Sequence, residues 1–291
     1  TQAKTLFPYT TLFRSRRAIE LANADASGSP VVITFSPNTF PGIAPALIRP
    51  STPLPIVTRA QVTIEATGLG VIVDGSTIVA PNTDGFTFTG AEPVIRGMII
   101  RRFTGTCVAV LAPGAVIGGD ISAPQANRID DCATGIALRG ASAQVMGNRI
   151  GLASAPDVMT TGVLVAGFDA TVGGLSGAGP FAGNTIGNAV LAIRVGESTG
   201  PVIGGTTIAR NTIGADGATA AFVGTGVTIG PSASNVRVVQ NTITNAGVGV
   251  TVSADAGGVS STGNRIQSNR FGTIPGMAID LGGDGTYNPS D

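Results

Sequence analysis

The chain has 291 residues, with Lys plus Arg equal to Asp plus Glu at 17 each, 43 glycines, no His, no Trp, and 43% apolar against 12% charged side chains. That balance excludes a disordered chain, no run reaches the ~18 apolar residues of a membrane span, and glycine lacks the every-third spacing of collagen. A bias toward Gly, Ala, Thr, Val and Ile leaves a glycine-punctuated all-β protein of one or two domains.

In chain order, residues 5–15 read TLFPYTTLFRS, which resembles the in-frame translation of a sequencing adapter. Residues 1–15 are therefore expected to be a non-native, adapter-like segment, and residues 16–291 one repeat domain truncated at both ends. Setting aside Lys4 and Arg14 leaves fifteen arginines, no lysine and seventeen acids. Arginine without lysine in an Ala- and Gly-rich chain points to a GC-rich bacterial gene. The slight acidity argues against a nucleic-acid partner.

From Gly85 onward two markers recur. One is Asn-x-Ile, beginning at Asn127, Asn148, Asn184, Asn211, Asn241 and Asn264. The other is a small residue opening a short alternating apolar run, at Gly85, Gly105, Gly135, Gly162, Ala189, Gly226, Gly247 and Gly276, with steps of 20 to 37 residues averaging about 27. Each period holds two or three short runs with the two-residue alternation of strands and none of the 3.6-residue spacing of helices. No unit can bury its apolar face alone, so the units must stack. The predicted fold is all-β, a parallel β-helix of about ten coils, and an exposed apolar edge is expected at its last coil near Met277–Leu281.

Asparagines repeated at one corner of successive coils are expected to form a structural ladder, amide to amide, and to supply the left-handed backbone of a tight corner. Arg128, Arg149 and Arg265 share the middle position of Asn-Arg-Ile, and read as one outward, solvated row with Thr185, Thr212 and Thr242.

Several segments resemble bacterial secreted parallel β-helix proteins that open with a CSLREA-type segment. These are Arg17-Ala18-Ile19-Glu20-Leu21-Ala22-Asn23-Ala24, the strand Val31-Val32-Ile33-Thr34-Phe35, Leu54-Pro55-Ile56, Val62-Thr63-Ile64, Val73-Asp74-Gly75-Ser76, Gly183-Asn184-Thr185-Ile186-Gly187 and the closing Ala278-Ile279-Asp280-Leu281-Gly282-Gly283-Asp284-Gly285. The resemblance implies a single-stranded right-handed β-helix, with residues 17–24 a short helix covering its first edge and residues 31–35 the strand after it. It also implies a secreted or cell-surface scaffold, adhesin-like, whose partner is an extracellular polysaccharide or surface glycan. It fixes fold rather than function.

Catalysis has two footholds. Asn82-Thr83-Asp84 with Asp130-Asp131 resembles the motifs of polygalacturonase-type hydrolases, which need close carboxylates on neighbouring coils. Here the two motifs stand two marker steps apart, and the family's Gly-His-Gly is excluded by the lack of His. A pectate-lyase-like reading would draw on Arg101, Arg102, Arg128 and Arg139 with Asp120, Asp130 and Asp131, but no spacing singles out a cluster. The expectation is therefore no intact catalytic site, with a polysaccharide lyase, then a hydrolase, as the alternative. Asp280, Asp284, Asn288 and Asp291 could offer oxygens to Ca²⁺, although a plain Gly/Asp turn is the better reading of them, and no other cofactor is expected. Cys107 and Cys132 lie 25 residues apart, but their offsets from the glycine markers differ, so they are not expected to stack, and a disulfide is open rather than forced.

Overall fold

A computed structural model describes residues 4–5, 14–38, 46–119, 124–153, 158–174, 183–197, 202–217, 219–253 and 261–285. The chain winds as a parallel β-solenoid with three long faces. The first sheet has ten strands, the second nine and the third eight, each built by strands from successive coils. In each complete turn the chain visits first, second and third sheet in order, as in Val94–Arg96, Met98–Arg101 and Thr106–Val110. Eight turns carry a strand in all three sheets, so the expected ten coils hold only for the first sheet.

The reason these segments are strands is visible in their registers. In the second sheet Ile129, Ile150, Ile186, Ile213 and Ile243 stack directly on one another. Ile95, Ile117, Val145, Val172, Ile208 and Val238 do the same in the first sheet. Val108, Ile136, Val163, Ile193, Val227 and Val250 do so in the third. All are buried and meet along the solenoid axis in one core. Each such side chain contributes about 1.5–3 kcal/mol, and no single coil could bury it.

Corners between faces are made by one residue in the left-handed region. Between the first and second sheets this is Gly97, Gly147, Arg210, Gln240 or Ser268. Asn148, Asn211 and Asn241 follow that residue directly, and none of the marker asparagines is itself left-handed, which corrects the expected backbone role. Asn188 and Asn245 do adopt positive φ, at the next corner.

The small-residue marker is a real column, but four of its eight members shift register. The strand pairings align Gly85, Cys107, Gly135, Gly162, Ala192, Gly226, Gly249 and Ala278. Gly105, Ala189, Gly247 and Gly276 lie two or three residues off it. Smallness is required because the isoleucine of the second sheet lies against this column. A Cβ on Gly162 would meet Ile186 Cγ2 at 2.9 Å and Ala192 O at 2.6 Å, and one on Gly226 would meet Ile243 Cγ2 at 2.7 Å. The two sequence markers are thus the two halves of one contact.

The helix spans Arg14–Ala24, three residues longer at its start than expected. It buries Ile19 and Ala22 beside the strand Val31–Thr34. Asn23 fastens its end, donating to Ile56 O at 2.7 Å and accepting from the Thr58 N–H at 3.0 Å. Lys4–Thr5 pairs in parallel with Val31–Val32 as the outermost strand of the first sheet. At the other end Ile279–Gly282 is the last strand of the third sheet, and Leu281 is exposed. No helix among the described residues is long and apolar enough to cross a membrane.

Candidate functional site

The asparagine column is a continuous hydrogen-bonded chain. Asn127 Nδ2 donates to Asn148 Oδ1 at 3.0 Å, and the same bond links Asn148 to Asn184, Asn184 to Asn211 and Asn211 to Asn241 at 2.9–3.0 Å. From Asn148 to Asn241 each Oδ1 also accepts the backbone N–H of the asparagine below, Asn127 Oδ1 accepting that of Met98 instead, and each Nδ2 gives its second proton to a carbonyl of the first sheet in the preceding coil, such as Val145 O for Asn184. All four bonding positions of the buried amide are therefore filled. The sixth member is Asn269, which accepts from Asn241 Nδ2 at 3.0 Å. Asn264 is not in this column. It precedes Arg265–Gln267, a strand of the first sheet, and caps the turn there through Ser261 Oγ, Ala233 O and the Val236 N–H.

The enzymatic candidates are drawn partly together. Asp74, Arg101 and Asp130 align on three successive strands of the second sheet. Arg101 Nε lies 3.0 Å from Asp74 Oδ2, with Arg102 Nη1 at 3.4 Å from the same oxygen. Asp74 Oδ1 accepts the Ser76 N–H at 3.1 Å. Burial pushes the Asp74 carboxyl up, but the Ser76 hydroxyl and N–H together with Arg101 and Arg102 outweigh it and hold the group below the usual aspartate range. Asp130 is buried too, pairing with Arg128 Nε at 2.6 Å and accepting the Leu152 N–H at 2.9 Å. Asp84 accepts the Thr106 N–H at 2.7 Å from the coil above. Asp84 and Asp130 lie two coils apart, and Arg101 occupies the strand beneath Asp130. Asp131 is the left-handed corner residue that follows it. Arg139 belongs elsewhere, paired with Glu197 at 2.8 Å, and Asp120 lies outside the described residues.

Asp280 is buried, and its two oxygens accept the N–H groups of Gly283 at 3.1 Å and Gly285 at 3.3 Å. Asp284 is exposed, and Asn288 and Asp291 lie outside the described residues. Among the described residues no group of three metal-binding side chains converges. Cys107 and Cys132 form a disulfide with a Cα separation of 5.8 Å. The expectation that they do not stack overlooked the corner geometry. Cys107 occupies the inward small-residue column, and Cys132 turns inward just past the Asp131 corner of the next coil.

The expected Arg/Thr row divides as well. Arg128 and Arg149 share a register on the second sheet and are paired with Asp130 and Asp216. Arg265 faces out from the first sheet, in register with Arg237. Here the chain forms an open groove of about 330 Å³, lined by Thr207, Arg210, Arg237, Gln240, Arg265 and Gln267 among others. Alternation along the strands sends Ile208, Val238 and Ile266 inward and these polar side chains outward. Arg210 Nε donates to Gln240 Oε1 at 3.1 Å across the corner. Among the described residues neither Arg237 nor Arg265 meets a carboxylate. The sequence carried this site as Arg237-Val238-Val239 and Arg265-Ile266-Gln267, but reading Arg265 as part of the Asn-x-Ile column concealed the pairing.

No family model and no curated protein matches the chain. Among solved structures it is similar to the A-module of the Azotobacter vinelandii mannuronan C-5 epimerase AlgE6, at 14% identity over 94% of this chain and 91% of that one, with a TM-score of 0.38. It is also similar to the Streptococcus pneumoniae surface protein and adhesin PfbA, at 11% identity over 91% of this chain and 94% of that one, with a TM-score of 0.33.

Proposed function

We propose that the chain is a secreted or cell-surface β-helical scaffold, adhesin-like, that binds an extracellular polysaccharide or surface glycan through its outer faces and carries no assembled acid–base pair. One observation carries this reading. The buried carboxylates among the described residues, Asp74, Asp130 and Asp280, are all consumed by arginines or backbone N–H groups. A general acid or base needs a carboxyl directed at a substrate proton, with its pKa near the working pH. Asp74 is instead held low and faces two guanidiniums. An arginine base is opposed by the same contacts, because the Arg101 Nε–H is already donated to Asp74 Oδ2. The disulfide between Cys107 and Cys132 supports an oxidising, extracytoplasmic location.

The test is incubation of the full chain with a panel of neutral and acidic polysaccharides, following binding together with reducing and unsaturated ends. Binding without new ends is expected. Release of unsaturated ends would establish a lyase, and new reducing ends alone a hydrolase.

A further inference from the structure

We infer that the groove over the last coils of the first sheet binds a linear uronate polysaccharide, its carboxylates seated on Arg237 and Arg265. The inference rests on the scaffold reading above and assigns it a site and a ligand class.

Arg237 and Arg265 stand directly opposite each other on neighbouring strands, in register, with exposed side chains. Like charges so placed repel, and where Arg128 stands opposite Arg149 in the same way each arginine has its own carboxylate. In the same sheet Arg96 is paired with Glu65 at 2.8 Å on the adjacent strand. On the second sheet Arg101 faces Asp74, and Arg128 and Arg149 have Asp130 and Asp216. Among the described residues the other sheet-face arginines without a carboxylate, Arg194 and Arg270, stand singly opposite threonines, whereas the groove holds two in register. There two guanidiniums stand unneutralised, in a chain with only 12% charged residues.

The rest of the lining says which anion fits. A guanidinium offers two parallel N–H groups to a planar carboxylate. Successive strands place these forks about 4.8 Å apart along the solenoid axis, and a linear chain of pyranose rings advances by about the same distance per ring, so one acidic sugar falls over each coil. Thr207, Gln240 and Gln267 flank the arginines and supply donors and acceptors for ring hydroxyls. The lining contains no aromatic side chain, so it lacks the platform on which single-stranded nucleic acids stack their bases.

The experiment measures affinity of the full chain for polygalacturonate, dextran, dextran sulfate and single-stranded DNA at low and moderate salt, for the parent and for Arg237→Gln/Arg265→Gln. Among the described residues neither arginine holds a partner, so this variant should keep the parental melting temperature. Arg139→Gln, which loses only a surface ion pair with Glu197, is the charge control. The expected result is salt-sensitive binding of polygalacturonate over dextran, weakened at least tenfold in the double variant and little changed in Arg139→Gln. Equal polygalacturonate affinity in the double variant overturns the site while leaving the scaffold reading intact. Preference for dextran sulfate or DNA overturns the ligand class. Binding of none of these polymers overturns the inference, and cleavage of polygalacturonate overturns the scaffold reading, whereas the double variant still reports on the groove.

Discussion

Asp74 and Arg101 face each other across neighbouring strands of the second sheet, carboxylate to guanidinium at 3.0 Å, with the acid fully buried and the arginine partly open to water. An acid in that position must be ionised to satisfy the cations above it, and the surroundings hold its carboxyl below the ordinary range.

The linkage has a definite sign. The folded pKa lies below the unfolded value of ~3.9, so the contribution of Asp74 is fully present above that value and is lost as pH falls through the depressed folded one. Asp74→Asn should lower stability by about 2 kcal/mol at neutral pH, the scale of a hydrogen bond to a charged group. It should also flatten the acid limb of the stability curve. Urea midpoints collected between neutral pH and pH 2 check both, and parallel curves for parent and variant would remove Asp74 as the cause.

The asparagine column gives a graded prediction. Asn184→Ala leaves the Asn148 amide and N–H without their acceptor and Val145 O without its donor, all in the interior. Each orphaned group costs about 1–3 kcal/mol, so a loss of at least about 3 kcal/mol is expected. Asn264→Ala should cost only about 1 kcal/mol, because it caps a half-buried turn. Denaturant unfolding of the two variants decides between a column that includes Asn264 and one that ends at Asn269.

Those two asparagines show how far the sequence could be read. Asn127, Asn148, Asn184, Asn211 and Asn241 were legible because an isoleucine two residues on repeats a strand of one sheet. Asn269-Arg270-Phe271 was not, since phenylalanine fills the last coil where isoleucine serves elsewhere, and Asn264-Arg265-Ile266 imitates the motif on a different face. Period-2 alternation is identical on all three faces, so sequence assigns a residue to inside or outside but not to a sheet. The same ambiguity shifted Gly105 from Cys107, divided Arg265 from Arg128 and left Asp74, Arg101 and Asp130 uncollected.

The small-residue column predicts intolerance to a single methyl group. At Gly162 an added Cβ lies 2.6 Å from Ala192 O and 2.9 Å from Ile186 Cγ2. Gly162→Ala should cost about 1–3 kcal/mol by overpacking, despite alanine's lower backbone entropy. An unchanged denaturation midpoint would mean that neighbouring coils separate freely, contrary to the tight contact between the second and third sheets.

At the closing turn, Asp280 spends one oxygen on each of two glycine N–H groups. The carboxylate is buried and among the described residues no group of three metal-binding side chains converges on it, so millimolar CaCl₂ should leave the melting temperature of the chain unchanged. A rise of several degrees that is absent in Asp280→Asn would instead place the ion on this carboxylate, with Asp284 and Asn288 as the next ligands to test.

Cys107 and Cys132 tie adjacent coils beside the Asp74 cluster, and both are buried. A cross-link closing 25 residues stabilises by about 3 kcal/mol, chiefly by restricting the unfolded chain. Replacing both with alanine should lower the denaturation free energy by that order, while the coils above Gly135, which share no covalent tie, keep their cooperative unfolding. The native chain should expose no titratable thiol even when unfolded without reductant, and two after reduction in denaturant. Free thiols in unreduced, denatured chain would sink the cross-link and with it the support it lends to an extracytoplasmic location.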